Sequence, residues 1–388
     1  MGTGPKRRCF VILLVFLCFL IRHRSSAEKV LLVPLPTANS HWMALAKIGR
    51  ALVDKAHLDI RVPHIAVTLV ELYLLDEKAT GVPLPLSLYD ELVRKYIGEE
   101  ETIQSVTSRT ALWLYCRTDN VLDYPRPTMP NMVQVGGLNV RRPHPLSEDM
   151  KAFVQSSGDD GVIVVSFGSM IKTMSTERRE VFAAAFSRLR QKVVWRYLGE
   201  KPTGLGNNTK LLAWLPQNDL LAHPKTRAFI THAGSNGLYE ALHHGVPMVC
   251  LPLFGDQPAN AARVVARGLG VKLDFSTVTA EQLYQAILHV VTNNSYRETA
   301  IRLSHLHRDQ PQSPMERAVW WIEHVIKHGG LSHLRARAVE LPWYQYYLLD
   351  VAVFLFGVCS AVLGTVWYSC SFFCRTICCK SGAKLKSQ

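Results

Sequence analysis

No Asp-x-Asp pair occurs anywhere in the 388 residues, so the carboxylate pair that usually holds a divalent cation on a diphosphate is missing. No Gly-x-Gly-x-x-Gly follows a first strand either, which removes the fingerprint of a dinucleotide-dependent dehydrogenase. Cysteine is scarce where it would matter. Of nine, Cys9, Cys18, Cys359, Cys370, Cys374, Cys378 and Cys379 lie in the two apolar ends, leaving Cys116 and Cys250 for the body. Two cysteines build no disulfide framework, and no Cys-x-x-Cys offers metal spacing. Cys250, inside the apolar run VPMVCLPL, reads as core. The body also lacks an excess of charge. The net charge is +13, but five basic residues without an acid in 1–27 and four in 351–388 supply nine of those charges. What remains excludes a phosphate-tracking face and a nucleic-acid partner. Internal repeats and low-complexity segments are absent.

What is present begins with the two ends. Lys6-Arg7-Arg8, a 13-residue apolar run from Cys9 and the small residues Ser25-Ser26-Ala27 read as a signal peptide over 1–27. Residues 351–373 form an uncharged apolar run of 23 residues, about 34 Å as a helix and enough for a bilayer. Trp343, Tyr344, Tyr346 and Tyr347 precede it as an interfacial belt, and the basic tail 374–388 follows it. The expectation is a single-pass type I protein with a lumenal body. Lys384 and Lys386, fifth and third from the end, resemble the cytosolic dilysine signal that returns membrane proteins to the endoplasmic reticulum. Asn207-Asn208-Thr209 and Asn293-Asn294-Ser295 are glycosylation acceptors that this topology makes usable. Cys378 and Cys379 fit either palmitoylation or a bare tail pair.

Along the body, KVLLVPL reads as a buried strand and Ser40–Ala56 as a helix. Helical pieces follow near Leu69–Asp76 and Ser87–Tyr96, then a strand in ALWLYC. Residues 125–147, with Pro125, Pro127, Pro130, Pro143 and Pro145, read as a linker. From Gly161 strands and helices alternate. Strands fall in GVIVVSFGS, KVVWRYL, RAFITH, VPMVCLPL and GVKLDF. Helices fall at Thr176–Gln191, Gln217–Ala222, Ser235–His244, Gln257–Arg267, Ala280–Thr292 and Tyr296–His307. That rhythm predicts a parallel, doubly wound α/β sheet with ligands at the strands' carboxyl ends. A last helix, Met315–His328, is expected to dock across the domains.

The polar groups cluster at those carboxyl ends. His232 ends a strand, and Ala233-Gly234-Ser235-Asn236-Gly237 turns into a helix whose N-terminus favours a phosphate. Trp214 offers a face for a base, and Gln217 an amide for a base edge or ribose. Glu240 suits vicinal ribose hydroxyls, while Asp256 and Gln257 suit sugar hydroxyls, with Asp256 alternatively capping the next helix. A stacking ring, ribose acceptor, diphosphate turn and hydroxyl readers together describe a nucleotide-sugar.

Trp214 to Gln257, with Trp214, Gln217, His232, Gly234, Glu240, Pro252, Asp256 and Gln257 in place, resembles the signature box of UDP-glycosyltransferases. With the signal, tail anchor and dilysine end, the chain is similar to the vertebrate UDP-glucuronosyltransferase family, from Lys29 to about His57 and from about Gly81 onward. The resemblance implies a GT-B fold of two Rossmann-like domains. The N-terminal acceptor domain with its linker would be 28–145, truncated, and the UDP-sugar domain 146–340. It implies that Trp214 and Gln217 hold uracil and Glu240 the ribose. His232, Gly234, Ser235, Asn236 and Ser169 would hold the diphosphate, with Arg196 as a further contact and Asp256 and Gln257 on the sugar. It implies transfer of glucuronic acid, or another sugar, from a UDP-sugar co-substrate to small lipophilic acceptors, inverting and without metal or resident cofactor. Homo- or hetero-oligomers with family members are a further expectation. Ala233 stands where the family commonly has glycine.

A base must take the acceptor's proton, and a histidine suits that near neutral pH. His41, after the first strand, matches the family's catalytic histidine. The family orients that histidine with an aspartate ending a later strand. Here the text runs from GRALVDKAH into LDIRVPHIAVTLVELYLL without that strand, and Asp59 and Asp76 are the nearest candidates. The alternative to an active enzyme is therefore a catalytically impaired form that binds UDP-sugar and modulates full-length relatives by association.

Overall fold

The computed structural model describes residues 29–33, 66–70, 90–96, 99–102, 106, 112–116, 118–168, 171, 174–334 and 337–383. His41, Asp59, Asp76, Ser169 and the expected signal lie outside them, as does the 40–56 helix. The described elements run β1 Lys29–Val33, β2 Ala66–Val70, α1 Asp90–Tyr96, β3 Trp113–Tyr115, β4 Met132–Gln134, α2 Glu148–Gln155, β5 Val162–Ser166, α3 Thr176–Ser187, β6 Lys192–Arg196 and β7 Thr209–Leu212. They continue with α4 Gln217–Leu221, β8 Thr226–Thr231, α5 Ser235–His244, β9 Met248–Cys250, α6 Gln257–Ala266, β10 Gly270–Lys272, α7 Ala280–Thr292, α8 Asn294–Arg308, α9 Pro314–Lys327, α10 Trp343–Tyr346 and α11 Leu349–Ala383. The chain forms two compact units, Met1–Leu334 and Arg335–Gln388.

The first unit is built around a six-stranded sheet in the order β10-β9-β8-β5-β6-β7, with every pair parallel. Parallel strands need crossovers, and these put helices on both faces, so strand side chains are buried on both. Strand periodicity sorts them. Val162, Val164, Val194 and Phe229 face one core with Leu238, Leu242, Val264 and Leu303. Ile163, Val165, Trp195 and Ile230 face the other with Phe182, Phe186, Leu283 and Ile287. Each such fully buried side chain contributes about 1.5–3 kcal/mol.

Two expectations need correction, and one strand was missed. Leu69 and Val70 belong to strand β2, which pairs in parallel with β1, and not to a helix. Residues 125–147 are more than a linker. Met132–Gln134 pairs in parallel with β3, and Val133, Val135 and Leu138 share a core with Leu112, Leu114 and Ala318, Ile322 and Val325 of α9. Pro-rich flanks obscured a strand whose partner, β3, lies before the segment. Edge strand β7 carried too little apolar character to be read, because all four of its residues are half-buried. Helix α9 packs on the β3–β4 pair, within the same compact unit.

The segment after β3 is pinned by buried polar groups. Asp119 accepts from the amides of Val121 (3.2 Å) and Leu122 (2.8 Å), and its other oxygen lies 2.7 Å from His307 Nδ1 on α8. Tyr239 of α5 stacks on the His307 ring. A Cβ at Gly136 would meet Thr118 O at 2.6 Å and the Tyr239 ring at 2.7 Å, so only glycine lets the chain pass there. Further on, Asp219 of α4 binds Arg141 Nη2 (2.6 Å) and the His144 amide (2.8 Å). The second unit holds α10 and the helix α11. Its Leu349–Arg375 stretch, 27 residues, spans about 40 Å, longer than the roughly 30 Å hydrocarbon core of a bilayer.

Removing the Asp119 carboxylate strands a buried imidazole and two amides. Asp119→Ala is expected to cost about 2–4 kcal/mol of unfolding free energy, read by denaturant titration of the detergent-solubilised chain.

Candidate functional site

In the sheet order, β6 lies on one side of β5 and β8 on the other. This is a topological switch point, and a doubly wound sheet opens its ligand crevice there, outside the carboxyl ends of the strands. Every described site residue expected from sequence follows a strand at that edge: Arg196 ends β6, Trp214 and Gln217 follow β7, His232 to Asn236 follow β8, and Asp256 and Gln257 follow β9. Glu240 lies two turns into α5.

His232 sits at the centre. A Cβ on Gly168, in the loop after β5, would meet its Nε2 and Cε1 at 2.7 Å, and one on Gly234 would come closer still. The ring edge is gripped between two glycines from neighbouring loops. Gly168 adopts φ 71, a left-handed backbone that favours glycine. Gly234 is the N-cap of α5 and, lacking a side chain, makes no capping hydrogen bond of its own. The Ser235 Oγ donates to Asp256 Oδ2 at 2.8 Å. The first turn of α5 places the positive end of the helix dipole beside the imidazole.

Ala233 takes φ 61, the left-handed conformation that costs a non-glycine residue about 1–2 kcal/mol. Its methyl is fully buried in the core, its amide donates to Thr231 Oγ1 (3.2 Å), and its carbonyl accepts from Asn260 Nδ2 (2.9 Å). These contacts offset the strain, so alanine serves where glycine was the simpler choice.

Gln217 Nε2 donates to Glu240 Oε2 at 2.5 Å, joining the two residues assigned from sequence to the base and ribose end. Trp214 is 64% exposed, and the Arg196 guanidinium lies 5.0 Å from its ring centroid. Arg196 also donates to the Gly168 carbonyl, bridging the aromatic face to the β5 loop. Gln257 is buried, and its Oε1 accepts from the amides of Leu253 (2.8 Å) and Phe254 (3.2 Å), so this end of its amide shapes the loop. Asp256 occupies the N-cap position of α6 without capping it. Sequence reading missed Gly168, Asn260 and Arg263. The i, i+4 spacing of Asp256 and Asn260 on a helix was the available signal for one of them. Asn207 and Asn293 are both exposed, and Asn293 Oδ1 caps α8 through Ser295 N.

Burial pushes the His232 pKa down to about 4, against Asp256 and the Ser166 backbone, which raise it. At neutral pH the ring is uncharged and offers a single N–H donor. His243 and His244, at the other end of α5, are also pushed down to about 4. Burial leads in both cases, reinforced by neighbouring histidines around His243 and by Arg308 around both. The assembled groups suit a ligand with a flat ring, an anionic centre and several hydroxyls: an exposed indole, a paired amide and carboxylate, a helix N-terminus with a neutral imidazole, and a second carboxylate.

A family model described as UDP-glucoronosyl and UDP-glucosyl transferase matches residues 64–384. The chain belongs to this family. The match includes residues 64–80, which the resemblance read from sequence had left out. Among the family's members, UDP-glucuronosyltransferase 2C1 of Oryctolagus cuniculus is 49% identical over 303 residues, 78% of this chain and 60% of that protein. UDP-glucuronosyltransferase 1A1 of Mus musculus is 47% identical over 289 residues, 74% and 54% respectively. The chain thus spans between about half and three fifths of the curated relatives it matches. Two solved structures share the GT-B fold with it. One is the glycotransferase of kitacinnamycin, with a TM-score of 0.55, 21% identity and 84% of each chain covered. The other is Os79 from O. sativa in complex with U2F and trichothecene, with a TM-score of 0.55, 15% identity, and 76% of this chain and 100% of that one covered.

An unfolded histidine titrates near 6.5, so between about pH 6.5 and pH 4 the unfolded chain binds more protons than the folded one. Stability is complete above that window and falls as pH drops through it. Melting temperatures at pH 7.5 and pH 5 should show this loss, and a His243→Gln/His244→Gln variant should show a smaller one.

Proposed function

We propose that the chain holds a UDP-sugar across the carboxyl ends of its six-stranded sheet and transfers the sugar to a small lipophilic acceptor. The observation that carries this reading is the His232 ring, held between Gly168 and Gly234 at the switch point and beside the N-terminus of α5. Trp214 stacks on the uracil, and the Gln217–Glu240 pair binds the ribose. The diphosphate lies on His232, Gly234, Ser235, Asn236 and Ser169, with Arg196 close by. Asp256 and the Gln257 amide take the sugar hydroxyls. Glucuronic acid is the preferred sugar on the strength of the relatives' names.

Breaking the anomeric bond leaves negative charge on the departing UDP. The helix N-terminus and the neutral His232 donor meet that charge without reorganising, which suits a chain whose sequence has no Asp-x-Asp. His41 takes the acceptor proton as its oxygen attacks the face opposite the leaving group, inverting the anomeric centre. The span Leu349–Arg375, the terminal lysines and the apolar acceptor class support a type I protein of the endoplasmic reticulum membrane with its body in the lumen.

Full-length chain expressed in microsomes tests both halves of the reading. UDP binding is expected, with Trp214→Ala and Gly234→Ala each weakening it about tenfold, since lost stacking or an overpacking clash costs about 1–3 kcal/mol. Glucuronide formation is expected to vanish in His41→Ala while UDP binding persists. No UDP binding by the wild-type chain would sink the proposal. The length of chain shared with the relatives favours one second reading: UDP binding without turnover would identify a donor-binding subunit that associates with other family members.

A further inference from the structure

Asp256, Asn260, Arg263 and Arg267 recur at the head of α6 and along it with the spacing of one helix face. Asn260, only 4% exposed, sits in the middle of that face. Its Nδ2 donates to Asp256 Oδ2 and to the Ala233 carbonyl, both at 2.9 Å, and lies 3.4 Å from Ser235 Oγ. One amide therefore touches the carboxylate assigned to the sugar, the left-handed turn and the first residue of α5. Its Oδ1 accepts from Arg263 Nη1 at 2.8 Å. The Arg263 Nε in turn lies 3.2 Å from Asp123 Oδ1, and Asp123 Oδ2 accepts from the Asp119 amide at 3.1 Å. Arg267 donates to the Leu122 carbonyl at 3.2 Å and to that of Asp123.

The chemistry of this chain of contacts has a direction. A flipped Asn260 amide would set Oδ1 against the Asp256 carboxylate and the Ala233 carbonyl, acceptor facing acceptor, and Nδ2 against the Arg263 cation. Arg263, held by the buried Asp123, therefore selects the sense in which Asn260 faces the site. Asp119 and Asp123 belong to the segment after β3, the same stretch that His307 pins to the domain. Helix α6 thus links that segment to the donor crevice.

We propose that Asn260 is a positioning residue of the donor site, setting the Asp256 carboxylate and the 233–235 turn, and that the Asp123–Arg263 pair holds it in the required sense. The proposal rests on the UDP-sugar reading above. It places control of sugar binding partly outside the crevice, in the segment that leads into the sheet from β3.

Isothermal titration of the detergent-solubilised full chain with UDP and with UDP-glucuronic acid tests it. Asn260→Asp keeps the size of the side chain but replaces the donating group with oxygen. It is expected to weaken UDP-glucuronic acid about tenfold or more, and to weaken it about threefold or more beyond any loss for UDP, because Asp256 serves the sugar alone. Arg263→Met should shift the ratio in the same direction, and Arg263→Lys should restore part of it. Equal weakening of both ligands together with a lowered melting temperature would show a packing role and overturn the proposal, as would an unchanged ratio. Should Asn260→Asp fail to fold, Arg263→Met carries the same test, since the Arg263 side chain is 24% exposed. A wild-type chain that binds no UDP removes both this proposal and the reading beneath it. A wild type that binds UDP, beside variants that leave the ratio unmoved, removes this one alone.

Discussion

Parallel pairing of β5 with β6 on one side and β8 on the other is the constraint from which the rest of the described body follows. It forces crossover helices onto both faces, buries both sides of every central strand and leaves all carboxyl ends on one edge. Because the chain reverses its direction of travel across the sheet at β5, the crossovers after β5 and β8 run to opposite faces, the arrangement that makes a ligand crevice in such sheets. His232 and Gly168 meet there because the register pairs Ser166 with Thr231, one residue before the histidine. A slip by one residue would turn the strand's side chains to opposite faces and bring different atoms to the edge.

Around that crevice, polar groups are tied to one another before any ligand arrives. Gln217 holds Glu240, Ser235 and Asn260 hold Asp256, and Arg196 holds the β5 loop. Such pairing lowers the cost of ordering side chains on binding, because rotamers are already chosen. The neutral His232 belongs to the same logic. A cation in that place would bind anions strongly, but burial at the sheet edge makes the uncharged donor the stable form. The positive end of the α5 dipole beside it comes from the backbone, which does not titrate.

Much of this was legible beforehand, and the exceptions share a cause. Strands β5, β6 and β8 were readable because both faces are buried, making them continuous apolar runs, and α5 was readable to the residue between Gly234 and Gly245. The box from Trp214 to Gln257 was readable because its residue types are chemically unusual together. Strand β4 hid among prolines, β7 lacked burial, and the end of β2 was read into a helix because a short apolar run has no clear period. Asn260 and Gly168 were passed over because an asparagine in a helix and a glycine after a strand are common. Their meaning lies in what touches them.

The sequence by itself determined the alternation of strand and helix, the turn residues and the set of groups delivered to one edge of the sheet. These depend on neighbours within a few positions, and the chain's own periodicity encodes them. Only the tertiary structure decided which of those groups act together. Ser235 meets Asp256 across 21 residues, Gln217 meets Glu240 across 23, and Asp119 meets His307 across 188. Such pairs form because packing two sheet faces brings distant loops to one place, and no local pattern records the partner at the other end.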